Sequence, residues 1–296
     1  QSGIEAMEEG AADIDDSIVP STYESLQQSP LKLLLLRIPD LYFDMVEVNT
    51  TRPGLSDLRV RQAMMYGWDR KDLDDRYEHG DEQVATSITP VGLKRWYDSD
   101  VRMYPYDPAR ARALLDAAGY LPGPDGVRRH GKTRLAYTLS LTGSSLENFG
   151  AEFQADMRAI GIALTIQTID FATAIENEAK GDYDLTPVAW GGVPDPDEET
   201  LLGCDQFPPN GNNDMRFCDP QLTRDLVQGL QTLDYAKRRV IYDDVQRRVA
   251  EDVPILYSGF RYYEDAISPR VHFDIKKALP DASFFRDVQH WTLGPL

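Results

Sequence analysis

The sequence predicts an α/β fold built on a mostly parallel or mixed sheet, and three observations predict it. Between Leu135 and Trp190 the apolar pattern alternates between a period of two and a helical period, reading strand, helix, strand, helix, strand. Helix-start and helix-stop residues stand where the pattern changes. The final stretch, Ile255 to Leu296, is rich in aromatic and β-branched residues and reads as strands that return to pack on an earlier domain.

Taken in order, the apolar run Leu41 to Val48 gives way over Asn49 to Ser56, through Pro53-Gly54, to Ser56-Asp57. That pair suits the N-cap of a helix carrying Val60, Ala63, Met64 and Gly67. Asp107-Pro108 is a second helix start, because proline is tolerated at the first helical position, and Gly119 suits the left-handed stop after Leu114 and Leu115. Beyond a turn at Pro122 to Gly126, residues Leu135, Tyr137, Leu139 and Leu141 alternate as in a half-buried strand. Phe149, Phe153, Met157 and Ile160 share one helical face, and Gly161 ends that helix. Ile162, Leu164 and Ile166 resume the alternation, Phe171 to Ala179 reads as a helix, and Tyr183 to Trp190 as the third strand. Two amphipathic helices follow, marked by Leu222, Leu226, Val227 and Leu230, and by Val240, Ile241, Val245 and Val249.

Composition narrows the function classes. With 42% hydrophobic and 27% charged residues among 296, the chain falls in the globular range and can bury a core without a metal. Its 49 Asp and Glu against 31 Lys and Arg leave a net charge of −18, which repels a phosphate backbone, so no nucleic-acid partner is expected. Leu31 to Ile38 is interrupted by Lys32 and Arg37 and is too short to cross a membrane. The first residues lack a basic segment followed by an apolar one, so a processed or truncated start is expected.

Motifs for cofactor chemistry are absent: there is no P-loop, no GxGxxG turn, no GxSxG elbow and no HExxH. His79, His130, His272 and His290 are scattered without ligand spacing and read as surface residues, so no metal site is expected. Acidic clusters at Asp13 to Asp16, Asp72 to Asp75 and Asp195 to Glu199 read as solvated faces, with Glu198 and Glu199 fitting the first turn of a helix begun at Asp197. The rival reading is a carboxylate-dependent hydrolase using Asp195 and Glu198. Asn49-Thr50-Thr51 matches a glycosylation pattern too short to carry weight. Cys204 and Cys218 flank a loop rich in Pro and Asn; a disulfide closing ~15 residues would contribute ~3 kcal/mol, two buried free thiols being the alternative. Trp190-Gly191-Gly192-Val193-Pro194 departs from core logic, since a large aromatic is followed by residues that let a ligand approach the backbone. In an open sheet ligands sit beyond the carboxyl ends of the strands, and this loop occupies that place. A buried Trp followed by a turn explains the same residues.

Together these segments resemble the peptide, dipeptide and nickel solute-binding proteins, family 5, that serve ABC importers. The most specific stretch is Leu55-Ser56-Asp57-Leu58-Arg59-Val60-Arg61-Gln62-Ala63-Met64-Met65-Tyr66-Gly67-Trp68-Asp69-Arg70, similar to that family's signature for the start of its second lobe. Tyr106-Asp107-Pro108 with Ala111, Leu114, Leu115, Ala118, Gly119 and Tyr120 follows, then Gly161-Ile162, Gly181-Asp182-Tyr183-Asp184, and Trp190-Gly191-Gly192 with Asp195-Pro196. Ala6 to Ile14 resembles the helix and strand that enter the first lobe. The resemblance covers nearly the whole chain but only the second part of a family member, an N-terminal portion being missing.

The resemblance implies a periplasmic-binding-protein-like fold of type II, cluster C, with two lobes. It places residues 1–49 in part of the first lobe, 50–262 in the second lobe, and 263–296 in a segment returning to the first. It also implies a monomeric, extracytoplasmic protein, in the periplasm or as a cell-surface lipoprotein, that holds a peptide or other small solute and delivers it to a membrane permease. Trp190, Gly191, Gly192, Val193 and Asp195 are the implied ligand-binding residues, with no catalytic residue, metal or cofactor. Peptide-binding members carry in this loop an aspartate that pairs with the peptide's amino terminus. Here that position is Val193, the loop is one residue shorter, and Asp195 is the candidate substitute. Nickel-binding members also lack that acid, which keeps a metal chelate, a blocked peptide or a sugar in view. Cys204 and Cys218 sit where dipeptide-binding members place a disulfide. A scaffold or sensor of the same fold that has lost its ligand is the remaining alternative.

Overall fold

The computed structural model describes residues 3–16, 18–77, 83–191, 194–275 and 288–295. His79, Gly192 and Val193 therefore lie outside the described residues. Five long strands carry the architecture: β1 (Leu34–Val48), β2 (Ala136–Leu141), β3 (Ala163–Thr168), β4 (Leu185–Gly191) and β5 (Ile255–Ile267). Around them lie α1 (Leu58–Gly67), α2 (Arg70–Tyr77), α3 (Pro108–Ala117), α4 (Glu147–Ala159), α5 (Phe171–Lys180), α6 (Pro220–Gln231) and α7 (Tyr235–Asp252).

The unit β2–α4–β3–α5–β4 forms as the periodicity predicts, with β2 parallel to β3 from Ala136↔Ala163 to Leu141↔Thr168 and parallel to β4 at Leu139↔Leu185. The rest of the sheet is antiparallel. β1 runs against β4 from Tyr42↔Gly191 to Val48↔Leu185, and β5 runs against β1 from Ile255↔Glu47 to Ile267↔Leu34. The sheet is thus mixed, in the order β5–β1–β4–β2–β3, with the short strand Ile14–Asp15 on the outer edge of β5. The two apolar runs on either side of Pro39-Asp40 join into the single strand β1. Proline gives no ladder donor and is tolerated where pairing is irregular. Pro39 lies opposite Tyr262, where the β5 register shifts between Tyr257 and Phe260 and again before Tyr262.

Aspartates start five of these helices. The side chains of Asp57, Asp107, Asp170, Asp219 and Asp234 accept from the backbone N–H groups of Arg59, Arg110, Thr173, Gln221 and Lys237. Each satisfies a donor that the first helical turn leaves free, a contribution of ~1 kcal/mol, so part of the acidic surplus is structural. The short helix after β4 is Glu199–Leu202, with Asp197 accepting from the N–H of Glu199.

The main core gathers Phe43 and Met45 of β1, Met64 of α1, Phe153 of α4, Val249 of α7 and Phe260 of β5. Beyond the register shift, the outer halves of β1 and β5 support two smaller clusters. One is centred on Leu36, Ile38 and Ile267; the other on Met7, Ile18, Leu26 and Ala266. The β1–β5 ribbon therefore runs from the large core to the small ones.

The segment Leu55 to Arg70 is a framework. Arg61 is buried and donates to the carbonyls of Leu55 (2.8 Å), Asp252 (2.7 Å) and Val253 (2.8 Å), while Gln62 donates to Glu251 (2.9 Å). The carbonyls of Glu251, Asp252 and Val253 are those at the end of α7, which a helix terminus leaves without internal donors. Val253 closes that helix at φ +46, a costly conformation for a β-branched residue, and Arg61 grips its carbonyl. Arg70 reaches the carbonyls of Ala85, Tyr257 and Tyr104 at 2.7–3.1 Å.

Candidate ligand cleft

A cleft of about 490 Å³ opens where β2 ends and α4 and α5 begin. Its floor is Asp44 and Met45 of β1 with Pro187, Val188 and Ala189 of β4. Its sides come from Thr142, Ser145 and Leu146 after β2, from Asn148 and Phe149 in the first turn of α4, and from Phe171 and Ile175 in α5. Sheet topology favours this place: β2 and β3 run parallel, so the loops that leave their carboxyl ends for α4 and α5 lie on the same side of the sheet, where ligands of open sheets sit. Phe171 is 66% exposed directly after the cap of α5, an arrangement that burial does not require. Arg261 of β5 faces Asp44, its Nε donating to Oδ2 at 2.5 Å and its second nitrogen to Oδ1. The cleft thus combines apolar walls with one ion pair that carries both signs of charge.

Sequence reasoning singled out the residues that continue β4 out of this floor. Trp190 is half-buried, packs against the main core and donates its Nε1 proton to Glu198 at 2.9 Å. Glu198 is 7% exposed. Burial, with the Asp197 charge behind it, pushes its carboxyl up to about 8, and the indole N–H opposes them. Gly191 is exposed and pairs with Tyr42; a β-carbon there would stand 2.8 Å from the Tyr42 ring. Asp195 is held by both terminal nitrogens of Arg238, at 2.8 and 2.5 Å, and that guanidinium lies over the rings of Trp96 and Tyr242. Neither Asp195 nor Glu198 lines the cleft. Cys204 and Cys218 are joined as a disulfide. Asn49 is buried and donates to the carbonyls of Gly181 and Tyr183, so it is no glycosylation acceptor in the folded chain. His130, His272 and His290 are exposed.

Sequence reasoning missed the cleft residues Asp44, Phe171, Ile175 and Arg261, which come from three separate elements. One signal was available: Phe171, Ala174 and Ile175 recur at helical spacing on one face of α5, with Phe171 immediately after the capping Asp170. It also missed a group of acids at the cleft, the buried Glu47 and Glu178 with the half-buried Asp214, whose positions show no motif spacing.

A family model for bacterial extracellular solute-binding proteins, family 5, matches residues 1–209. The chain belongs to that family. Among curated members, the family 5 chain is 29% identical over 242 residues to di/tripeptide-binding protein 1 of Pseudomonas aeruginosa strain UCBPP-PA14, a match covering 80% of this chain and 43% of the relative. It is 26% identical over 266 residues to the nickel-binding periplasmic protein of Escherichia coli K12, covering 85% and 50%. The family 5 fold recurs in solved structures. HbpA2 of Haemophilus parasuis superposes with a TM-score of 0.84 at 22% identity, covering 100% of this chain and 57% of that one. The oligopeptide-binding protein AppA of Bacillus subtilis, solved with a nonapeptide, superposes with a TM-score of 0.81 at 18% identity, covering 98% and 58%. The chain spans about half the length of the curated relatives it matches. Among the described residues no helix is long and apolar enough to cross a membrane.

Proposed function

We propose that this chain forms one wall of the binding site of an extracytoplasmic solute receptor that captures a small peptide-like solute and delivers it to an ABC permease. The observation that carries the reading is the cleft with its exposed Phe171 and its Asp44–Arg261 pair. Apolar walls with a few polar groups are what a small-molecule site needs, and an ion pair that can re-pair with an ammonium and a carboxylate suits a zwitterion. Family 5 membership and the peptide-binding relatives support the same class.

In this reading residues 50–262 form the second lobe, while residues 1–49 and 263–296 belong to the first. The β1–β5 ribbon bends between them at Pro39 and Tyr262 as a hinge closes. Trp190 and Gly191 continue β4 beyond the cleft floor, and the loop that carries Gly192 and Val193 in the sequence follows them. Asp195 contributes by fixing the loop to Arg238 rather than by meeting the solute's ammonium. No catalytic step is involved; Asp195 has both oxygens engaged by Arg238, and Glu198 lies out of the cleft.

The test is thermal unfolding against peptides, nickel chelates and oligosaccharides, for the wild-type chain and for Arg261→Ala. A peptide at a hundredfold over its Kd stabilises the native state by ~2.7 kcal/mol, and Arg261→Ala removes that gain. Peptide turnover lost in Asp195→Ala or Glu198→Ala points to the hydrolase instead. No shift with any of the three classes points to a scaffold.

A further inference from the structure

We infer that Glu47, Glu178 and Asp214, with the hydroxyl of Tyr183, form a binding site for a hard divalent cation, calcium above all. Glu47 is on β1, Glu178 in the last turn of α5, Asp214 in the disulfide-closed loop and Tyr183 just before β4. One oxygen from each carboxylate lies within 4.8 Å of the others. Glu47, Glu178 and Tyr183 are each only 4% exposed.

Buried polar atoms are ordinarily paired, and a buried charge without a partner is among the costliest features a fold can carry. Here one oxygen of Glu47, one of Glu178 and the Tyr183 hydroxyl have no hydrogen-bond partner. The unpaired Tyr183 hydroxyl is separate from the acids, and the charges of Glu47, Asp214 and Glu178 all act on it. Among the described residues these carboxylates make no ion pair with Lys or Arg. The other groups around them are Thr186, which hydrogen-bonds Glu178, and Arg216, whose charge acts on Asp214. Repulsion between three acids is relieved either by protons or by a cation that joins them, and the β1–β4 ladder, which pairs Glu47 with Thr186, holds Glu47 in place.

The donor set and the way the site is built favour calcium. Two oxygens on one calcium ion, at 2.3–2.6 Å each, stand at most about 4.6–5.2 Å apart, whereas magnesium allows at most about 4.2 Å. The three carboxylate oxygens lie within 4.8 Å of one another, a span that one ion bridges, and a cage supplied by the protein suits calcium, whereas magnesium usually keeps several waters. All the donors are oxygens, which excludes a preference for soft metals. Glu178 also lines the ligand cleft, which supplies an entry path. Bound there, the cation ties β1, α5 and the disulfide loop together beneath the cleft floor. The inference does not depend on what the cleft binds.

The experiment is calorimetric titration of the chelator-treated, intact chain with calcium, magnesium and manganese chlorides near neutral pH, alongside thermal unfolding in each ion. One equivalent of calcium is expected to bind, more tightly than magnesium, and to raise the midpoint. Glu47→Gln and Asp214→Asn are each expected to weaken binding at least about tenfold. Glu47→Gln removes one of the repelling charges, so its metal-free midpoint should equal or exceed that of the wild type, which separates lost binding from lost folding. No heat and no midpoint shift with any of the three ions at millimolar concentration overturns the inference, as does calcium binding that both variants leave unchanged. Either result would leave the solute titrations of Arg261→Ala untouched.

Discussion

Changing Glu198 to Gln isolates the electrostatics beside Trp190. The carboxyl is raised from its ordinary 4.5 to about 8, chiefly by burial, so the folded chain keeps this proton over a range where the unfolded chain has released it. Stability from this group is therefore fully present below about pH 4.5 and is lost as pH rises through about 8. Each pH unit between the two values is worth ~1.4 kcal/mol, which sets a ceiling on the order of 5 kcal/mol once the group is ionised in both states. Gln matches the neutral acid in shape, still offers an oxygen to the Trp190 Nε1 proton at 2.9 Å, and never ionises. Urea unfolding of both proteins at about pH 5 should give stabilities within ~1 kcal/mol, and at about pH 9 the variant should be ahead by several kcal/mol. Asp197, whose charge acts on this carboxyl, is unchanged between the two, so the difference curve reports Glu198. A difference that stays flat across that range, or a variant weaker than the wild type at the alkaline end, would refute the assignment.

Cys204→Ser should lower stability by ~3 kcal/mol in urea, and a reductant should bring the wild type to the same midpoint; equal midpoints without reductant would count against the disulfide's contribution. Arg70→Met leaves the carbonyls of Ala85, Tyr104 and Tyr257 without their donor, and at least ~3 kcal/mol should be lost; a loss under ~1 kcal/mol would mean water replaces the guanidinium. Gly54→Ala places a side chain at φ +91 with its β-carbon 2.3 Å from the Tyr137 hydroxyl, so more than ~1 kcal/mol should go. Combined with Tyr137→Phe, its cost should be less than the sum of the two single changes, and strict additivity would show that the clash is relieved elsewhere.

The βαβαβ unit was legible because its signals are local. Phe153 and Met157 face the core one helical turn apart, and Gly161, at φ +91, stops the helix where only glycine is comfortable. Asp57 and Asp107 were readable as caps for the same reason, since a cap is settled within a few residues. β1 was not legible as one strand, because Pro39-Asp40 reads as a break until β5 is seen to accommodate it at an irregular register. Val240 read as part of a buried face yet is exposed, the interior side of α7 being set by Tyr242, Val245 and Val249. The cleft was half legible. Its position beyond the parallel strands followed from the order of elements, but Asp44 and Arg261 meet only because β1 and β5 pair across most of the chain. The acid cluster was invisible for the same reason: nothing near Glu47 in the sequence announces Glu178 or Asp214.

The grip of Arg61 and Gln62 on the end of α7 bears on how any mutational survey of this chain should be read. Substitutions in the Leu55 to Arg70 segment will silence the protein as completely as changes in the cleft, yet they will do so by releasing a helix end distant in sequence. Measured by loss of activity alone, this most recognisable stretch would pass for a contact site. Only a parallel measure of soluble, folded protein in each variant separates residues that keep the wall standing from those that touch what it encloses.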